Sequence, residues 1–94
     1  MKFFKATVNT SSGAYTQLTT TSTPGVNITL TNTVASHYVY GAGLDATSAL
    51  AEETANRYLY NPATGTQVLA NVDPSYIWVR ANGATAGHCN WQQP

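Results

Sequence analysis

The sequence predicts an all-β protein, a single small sandwich or barrel of about seven or eight short antiparallel strands. Three observations carry that expectation. Apolar and polar residues alternate with period two through most of the chain, the signature of strands with one buried face. Threonine occupies 15 of 94 positions, and a β-branched side chain, stiff at χ1, favours strand over helix. Turn dipeptides punctuate the alternation at intervals of about ten residues, the spacing of sandwiches and barrels. A chain of 94 residues holds one hydrophobic core, so residues 1–94 are expected to form one domain.

The first strand is expected around Phe4, Ala6 and Val8, with Lys5, Thr7 and Asn9 on its other face. Ala14–Thr20 follows, and the Thr19–Thr23 run reads as a loop into Pro24-Gly25. Val26, Ile28 and Leu30 then alternate with Asn27, Thr29 and Thr31. Further strands are expected at Ser36–Gly41, Arg57–Tyr60, Thr66–Ala70, Ser75–Ala81 and Ala84–Trp91. Between the fourth and fifth of these strands, the Ala, Leu and Glu content of Ala46–Ala55 suits one short helix near residues 47–56, while Asp45 to Glu53 reads equally as a loop. Asn61-Pro62-Ala63-Thr64-Gly65 is expected to close a hairpin, Pro presetting φ and Gly supplying a left-handed residue. Asp73-Pro74 reverses the chain before the Trp78 strand. Asn82-Gly83 is the strongest hairpin signal in the chain, because both central residues of such a turn need positive φ. A two-residue loop there pairs Ala81 with Ala84, Val79 with Ala86, Ile77 with His88, and Trp78 with the bare backbone of Gly87.

Charge is scarce. Only 9% of residues are charged, against a usual level of about 25%, and the net charge is zero. Four basic residues without a basic excess do not make a nucleic-acid footprint. No apolar run reaches the roughly 18 residues that span a bilayer, so neither nucleic acid nor membrane is an expected partner. Lys2 and Lys5 give a basic start, but Thr7, Asn9 and Thr10 interrupt the apolar stretch that a secretory leader needs. The expectation is a chain made in a cytoplasm without a signal peptide, its two N-x-S/T sequons being by-products of a threonine-rich composition. Cys89 stands alone, so no internal disulfide is available and stability must come from packing or from partners.

Alternation also sorts the aromatic residues. Val39 faces away from Tyr38 and Tyr40; Leu59 faces away from Tyr58 and Tyr60. Ile77 and Val79 face away from Tyr76, Trp78 and Arg80. If the aliphatic faces make the core, three strands present Tyr, Trp and Arg outward, the residue types enriched at protein interfaces. Tyr38, Tyr40, Tyr58, Tyr60, Tyr76, Trp78 and Arg80 are therefore the candidate interface. The alternative turns these rings inward between two sheets, each phenol finding one hydrogen bond, and leaves Arg80 an ordinary strand residue.

Reactive constellations are sparse. A metal site needs three or four ligands, and the chain offers His37, His88 and Cys89, of which the last two point to opposite faces of one strand. No G-x-S-x-G elbow is present and neither histidine has an evident orienting acid. Glu52 and Glu53 are neighbours in a flexible-looking segment, and Asp45 and Asp73 occupy turns where carboxylates bond the local backbone. Gly41-Ala42-Gly43 lacks the lysine of a phosphate cradle. The expectation is a non-enzymatic protein with no metal and no cofactor.

Three segments carry a resemblance: G-V-N-I-T-L-T-N-T, S-H-Y-V-Y-G-A-G and Y-I-W-V-R-A-N-G-A-T-A-G. They resemble the small β-rich structural proteins of tailed bacteriophages that decorate or join the capsid shell. The matching positions are Leu30 to Thr33, Tyr38 to Tyr40, and Trp78 to Ala86, within residues 25 to 91. Ala46–Ala55 and the tail from His88 to Pro94 depart from that pattern. The resemblance implies a head decoration or cement subunit on the virion surface, a homo-oligomer such as a trimer, bound to the major capsid protein or other virion subunits. Arg80 would be its buried interface cation, its planar fork suiting desolvated contacts. A head-to-tail adaptor shares the same fold and surface. A reading from another class is a carbohydrate-binding module, free or on a phage fibre, with Tyr38, Tyr40, Trp78 and Asn90 as its platform.

Overall fold

Two four-stranded antiparallel sheets face one another in a computed structural model that describes residues 2–41 and 43–94. The strands are β1 (Lys2–Val8), β2 (Thr16–Gln17), β3 (Val26–Asn32), β4 (Ser36–Tyr40), β5 (Leu59–Asn61), β6 (Thr66–Val72), β7 (Ile77–Ala81) and β8 (Gly87–Gln93). One helix, α1 (Ala46–Thr54), stands between β4 and β5. The first sheet runs β1-β8-β3-β6 and the second β2-β7-β4-β5. The protein is a compact β-sandwich with one short helix, as the alternation predicts.

The alternating apolar residues meet between the sheets. Ala6, Val8, Ile28, Leu30, Cys89 and Trp91 come from the first sheet. Leu18, Tyr38, Ile77, Val79 and Ala81 close on them from the second. Each of these residues is almost wholly buried, and a buried Leu, Ile or Val contributes about 1.5–3 kcal/mol over leaving it exposed. His88 and Cys89 do point to opposite faces, the first exposed and the second buried.

Connectivity departs from the hairpins expected of the turn dipeptides. Consecutive strands alternate between sheets at every link except β4 to β5, which α1 joins within one sheet. The two strands flanking Asn82-Gly83 are therefore not partners: β7 pairs with β2 and β4, and β8 with β1 and β3. Trp78 lies opposite Gln17 and Val39, not Gly87. The linker is tied outward instead, the Asn82 N–H donating to Ala35 O (2.7 Å) and the Ser11 N–H to Gly83 O (2.8 Å). Neither Asn82 nor Gly83 has positive φ. Asn61–Gly65 likewise carries the chain across from β5 to β6. There the left-handed residue is Thr64, φ 59°. Gly65 is required by space, since a Cβ would meet the Asn61 side chain and lie 2.8 Å from Pro62 O.

Buried polar side chains hold the crossovers. Asn32 and Asn61 are both buried; the Asn61 amide donates to Asn32 Oδ1 and to Gly65 O (3.0 Å), and the Asn32 amide to Pro62 O (3.1 Å). Asp73 accepts from Ser22 Oγ (2.6 Å), Thr23 N (3.1 Å), Ser75 N (3.0 Å) and Ser75 Oγ (2.8 Å), binding the β2–β3 loop to the β6–β7 reversal. Pro74–Tyr76 forms a 3-10 turn there, so the strand expected from Ser75 begins at Ile77.

Asn61→Ala is expected to cost about 1–3 kcal/mol in urea unfolding, because it leaves the buried Asn32 carbonyl oxygen without a donor. Gly83→Ala is expected to stay within about 0.5 kcal/mol, since nothing lies within 4 Å of an added Cβ.

Candidate functional site

The outer face of the second sheet is where the polar chemistry gathers. His37 and Arg80 are directly opposed across β4 and β7, as are Val39 and Trp78. Helix α1 covers this face, packing Ala49 with Leu44 and Ala46 against Tyr15, Val39 and Trp78. Its start and stop are local. Asp45 Oδ1 accepts from the Ser48 N–H (2.7 Å) at the N-cap. At the other end Asn56 turns left-handed, φ 59°. The Asn56 N–H then donates to Glu53 O and the Arg57 N–H to Glu52 O, both 2.9 Å. That is the Schellman arrangement, for which Asn is the common substitute for Gly.

These ends place Glu53 between His37 and Arg80. Arg80 Nη2 donates to Oε1 (2.8 Å) and Oε2 (2.9 Å) of Glu53, and Nη1 donates to Gly13 O (3.3 Å). Tyr15 OH donates to Glu53 Oε2, and its ring lies 5.0 Å from the Arg80 guanidinium carbon. His37 Nδ1 is 3.3 Å from Oε2. Burial raises the Glu53 carboxyl, but Tyr15, His37 and Arg80 outweigh it and hold the group below the ordinary glutamate value. Burial, with the Glu53 hydrogen bond behind it, raises the Tyr15 phenol.

The structure revises the sequence-based placement of several residues. Glu53, expected in a flexible segment, is the centre of a four-residue cluster, and His37 has an acid within 3.3 Å of its Nδ1. Arg80, expected at an interface or on an open strand face, is 8% exposed and occupied within its own chain. Tyr38, expected outward, is 2% exposed in the main core, its OH directed to Cys89 Sγ (3.7 Å). Trp78 lies half-buried beside α1. Strand β2 covers only Thr16–Gln17 of the expected Ala14–Thr20. Ala42 of Gly41-Ala42-Gly43 lies outside the described residues. The platform of Tyr38, Tyr40, Trp78 and Asn90 is not assembled, since Tyr38 is core and Asn90 lies on the opposite sheet.

Three of the seven candidate interface residues, Tyr40, Tyr58 and Tyr60, are exposed. Tyr58 and Tyr60 flank His37, ring centroids at 4.4 Å and 5.8 Å. Tyr40 pairs with half-buried Tyr76 at 6.3 Å. Tyr40 is 51% and Tyr60 50% exposed; Tyr60 lies on the α1 face with His37, whereas Tyr40 and Leu59 share the core-facing side of their strands with Tyr38 and are exposed at its margin. The signals for the cluster beneath were the Asp45 cap and the Asn56 stop, which phase the helix and so aim Glu53.

Chemically, the cluster is a fastener. Both Glu53 oxygens are engaged and its charge is matched by Arg80. Among the described residues no three of His, Cys, Asp and Glu converge as metal ligands, and no helix is long and apolar enough to cross a membrane. No family model, curated protein or solved structure matches the chain.

Glu53→Gln is expected to lower stability by about 1.5–3 kcal/mol, the range for hydrogen bonds to a charged group. Amide exchange should quicken throughout α1 before the central strands. Acid should act through two carboxylates. Burial raises Asp73, but its hydroxyl and N–H donors outweigh it and take it from 3.8 to about 2, and Glu53 is lowered from 4.5. A depressed carboxyl stabilises above its unfolded value, so both contributions are complete above about pH 5 and fade as pH falls, that of Asp73 down to about 2. Urea midpoints of Asp73→Asn across pH 2–5 should lie below the parent at pH 5 and converge on it near pH 2.

Proposed function

We propose that the chain is a non-enzymatic structural subunit of a virion, a decoration or cement protein of the capsid shell. The observation that supports this most is the fate of the charges. Glu53 is matched by Arg80, Glu52 by Arg57, Asp45 caps α1 and Asp73 binds two turns. Of the cations, Lys2 and Lys5 form no ion pair among the described residues, and both lie on β1. The α1 side, where Tyr58 and Tyr60 pack on His37, thus offers exposed rings among carboxylates that are already engaged. Permanent interfaces have that character, with aromatic residues enriched and charges excluded from the centre. Its expected partners are the major capsid protein or another virion subunit, with homo-oligomers such as trimers as the docking unit.

Light scattering of the purified chain, followed by its copy number in particles from its source, tests the reading. High copy number in particles is expected. A Tyr58→Ser/Tyr60→Ser variant, altered only at exposed rings, should keep its fold and lose at least tenfold in particle binding, since aromatic anchors carry about 2 kcal/mol or more. A stable monomer absent from every particle overturns the proposal.

A further inference from the structure

A groove crosses the outer face of the other sheet, on the side opposite the tyrosines. Two rows of side chains wall it, set by the strand registers. Phe3 of β1, Gln92 of β8 and Thr29 of β3 form one row. Lys5, Asn90 and Thr31 form the other. The backbone between the rows makes the floor, and the open groove has a volume of about 440 Å³, within the roughly 300–1,000 Å³ of small-molecule sites. The groove runs over three strands, two strand spacings or about 10 Å.

We propose that this groove binds a short acidic saccharide. A sugar ring has an apolar C–H face and a rim of hydroxyls that both donate and accept. Phe3 is 73% exposed and offers a ring face at the open edge of the sheet. Asn90 and Gln92 each present an amide donor and acceptor, and Thr29 and Thr31 add hydroxyls. Lys5 supplies the preference for acid: it has no anionic partner among the described residues, and no carboxylate lines the groove. A carboxylate on the sugar would gain a charge-assisted hydrogen bond there. A single cation in the groove is too few for a phosphate chain, whose binding rests on many such contacts.

The frame is already ordered. Phe4, on the opposite face of β1 from Phe3 and Lys5, stacks on buried Trp91 with centroids 4.1 Å apart and planes 16° from parallel. β1 pairs with β8 in unbroken register from Lys2–Gln93 to Val8–Gly87. The walls therefore need little rearrangement on binding, which spares affinity.

Nitrogen-15-labelled full-length chain titrated with a hexuronic-acid trisaccharide, and with a neutral hexose trisaccharide, tests the proposal. Amide shifts confined to β1, β8 and β3 are expected, with at least fivefold tighter binding of the acidic probe. Phe3→Ala should weaken both probes about tenfold, an exposed side chain whose loss leaves the spectrum otherwise native. Lys5→Gln should erase the preference for the acidic probe and its salt dependence, leaving neutral binding in place. No shifts with either probe at millimolar concentration, shifts elsewhere on the molecule, or binding unchanged in Phe3→Ala would each overturn the site. The groove and the tyrosine side share no residue, so particle binding and saccharide binding fail independently.

Discussion

Glu53 is the contact on which the outer half of the molecule depends. In a two-layer sandwich each sheet buries one face and wets the other, but here α1 lies on the wet face of the second sheet. The helix is short, and a helix of nine residues has little stability of its own in water. Its apolar contribution is slight, resting on Ala49 with support from Leu44 and Ala46. The ionic and hydrogen-bonded contacts of Glu53 with Arg80, Tyr15 and His37 anchor its last turn. Because the carboxylate sits among one cation and one phenol donor, its charge is compensated where burial alone would be costly. The positions of His37, Tyr58 and Tyr60 follow from that anchorage.

A second constraint is the way the chain changes sheets. With nearly every link crossing the sandwich, neighbouring strands in a sheet are distant in sequence. β1 meets β8 and β3 meets β8 and β6. Such pairings close long loops before they gain contacts, the condition that slows folding of all-β domains. It also explains the buried polar groups. Tight hairpins satisfy their own backbone, whereas crossovers leave N–H and C=O groups that Asn32, Asn61 and Asp73 meet from the side.

Both constraints draw on the same small supply of charge. Each carboxylate is used internally, for a cap, a turn or an ion pair, and so are both arginines. What reaches solvent is therefore uneven: tyrosine rings beside α1 on one side, and on the other a face of Thr, Asn and Gln that also carries Phe3, Val68 and Lys5, the last unpaired among the described residues. A zero net charge conceals this division, since it counts groups without regard to which are already matched.

Sequence alone determined the class of fold, the position of most strands and which residues share a strand face. Parity is a local property, and Val26, Ile28 and Leu30 or Ile77 and Val79 display it without reference to the rest of the chain. It also gave the turn role of Asp73 and the opposed directions of His88 and Cys89, and it marked the segment of α1 as helix or loop without choosing between them. Tertiary structure decided the rest. Parity cannot say which face is covered when both are, so it left Tyr38 and Arg80 open to an outward or an inward reading; the facing sheet buries Tyr38, and α1 with Glu53 covers Arg80. Turn chemistry cannot say whether the following strand returns beside its predecessor, so Asn82-Gly83 suggested a hairpin where the chain changes sheets. Alternation put Lys5, Thr29 and Thr31 on the polar faces of their strands, but nothing local brought β1, β8 and β3 side by side to make the groove walls. Register across strands distant in sequence is set by the packing of the whole core, and only that packing brings Phe3 into line with Gln92 and Thr29.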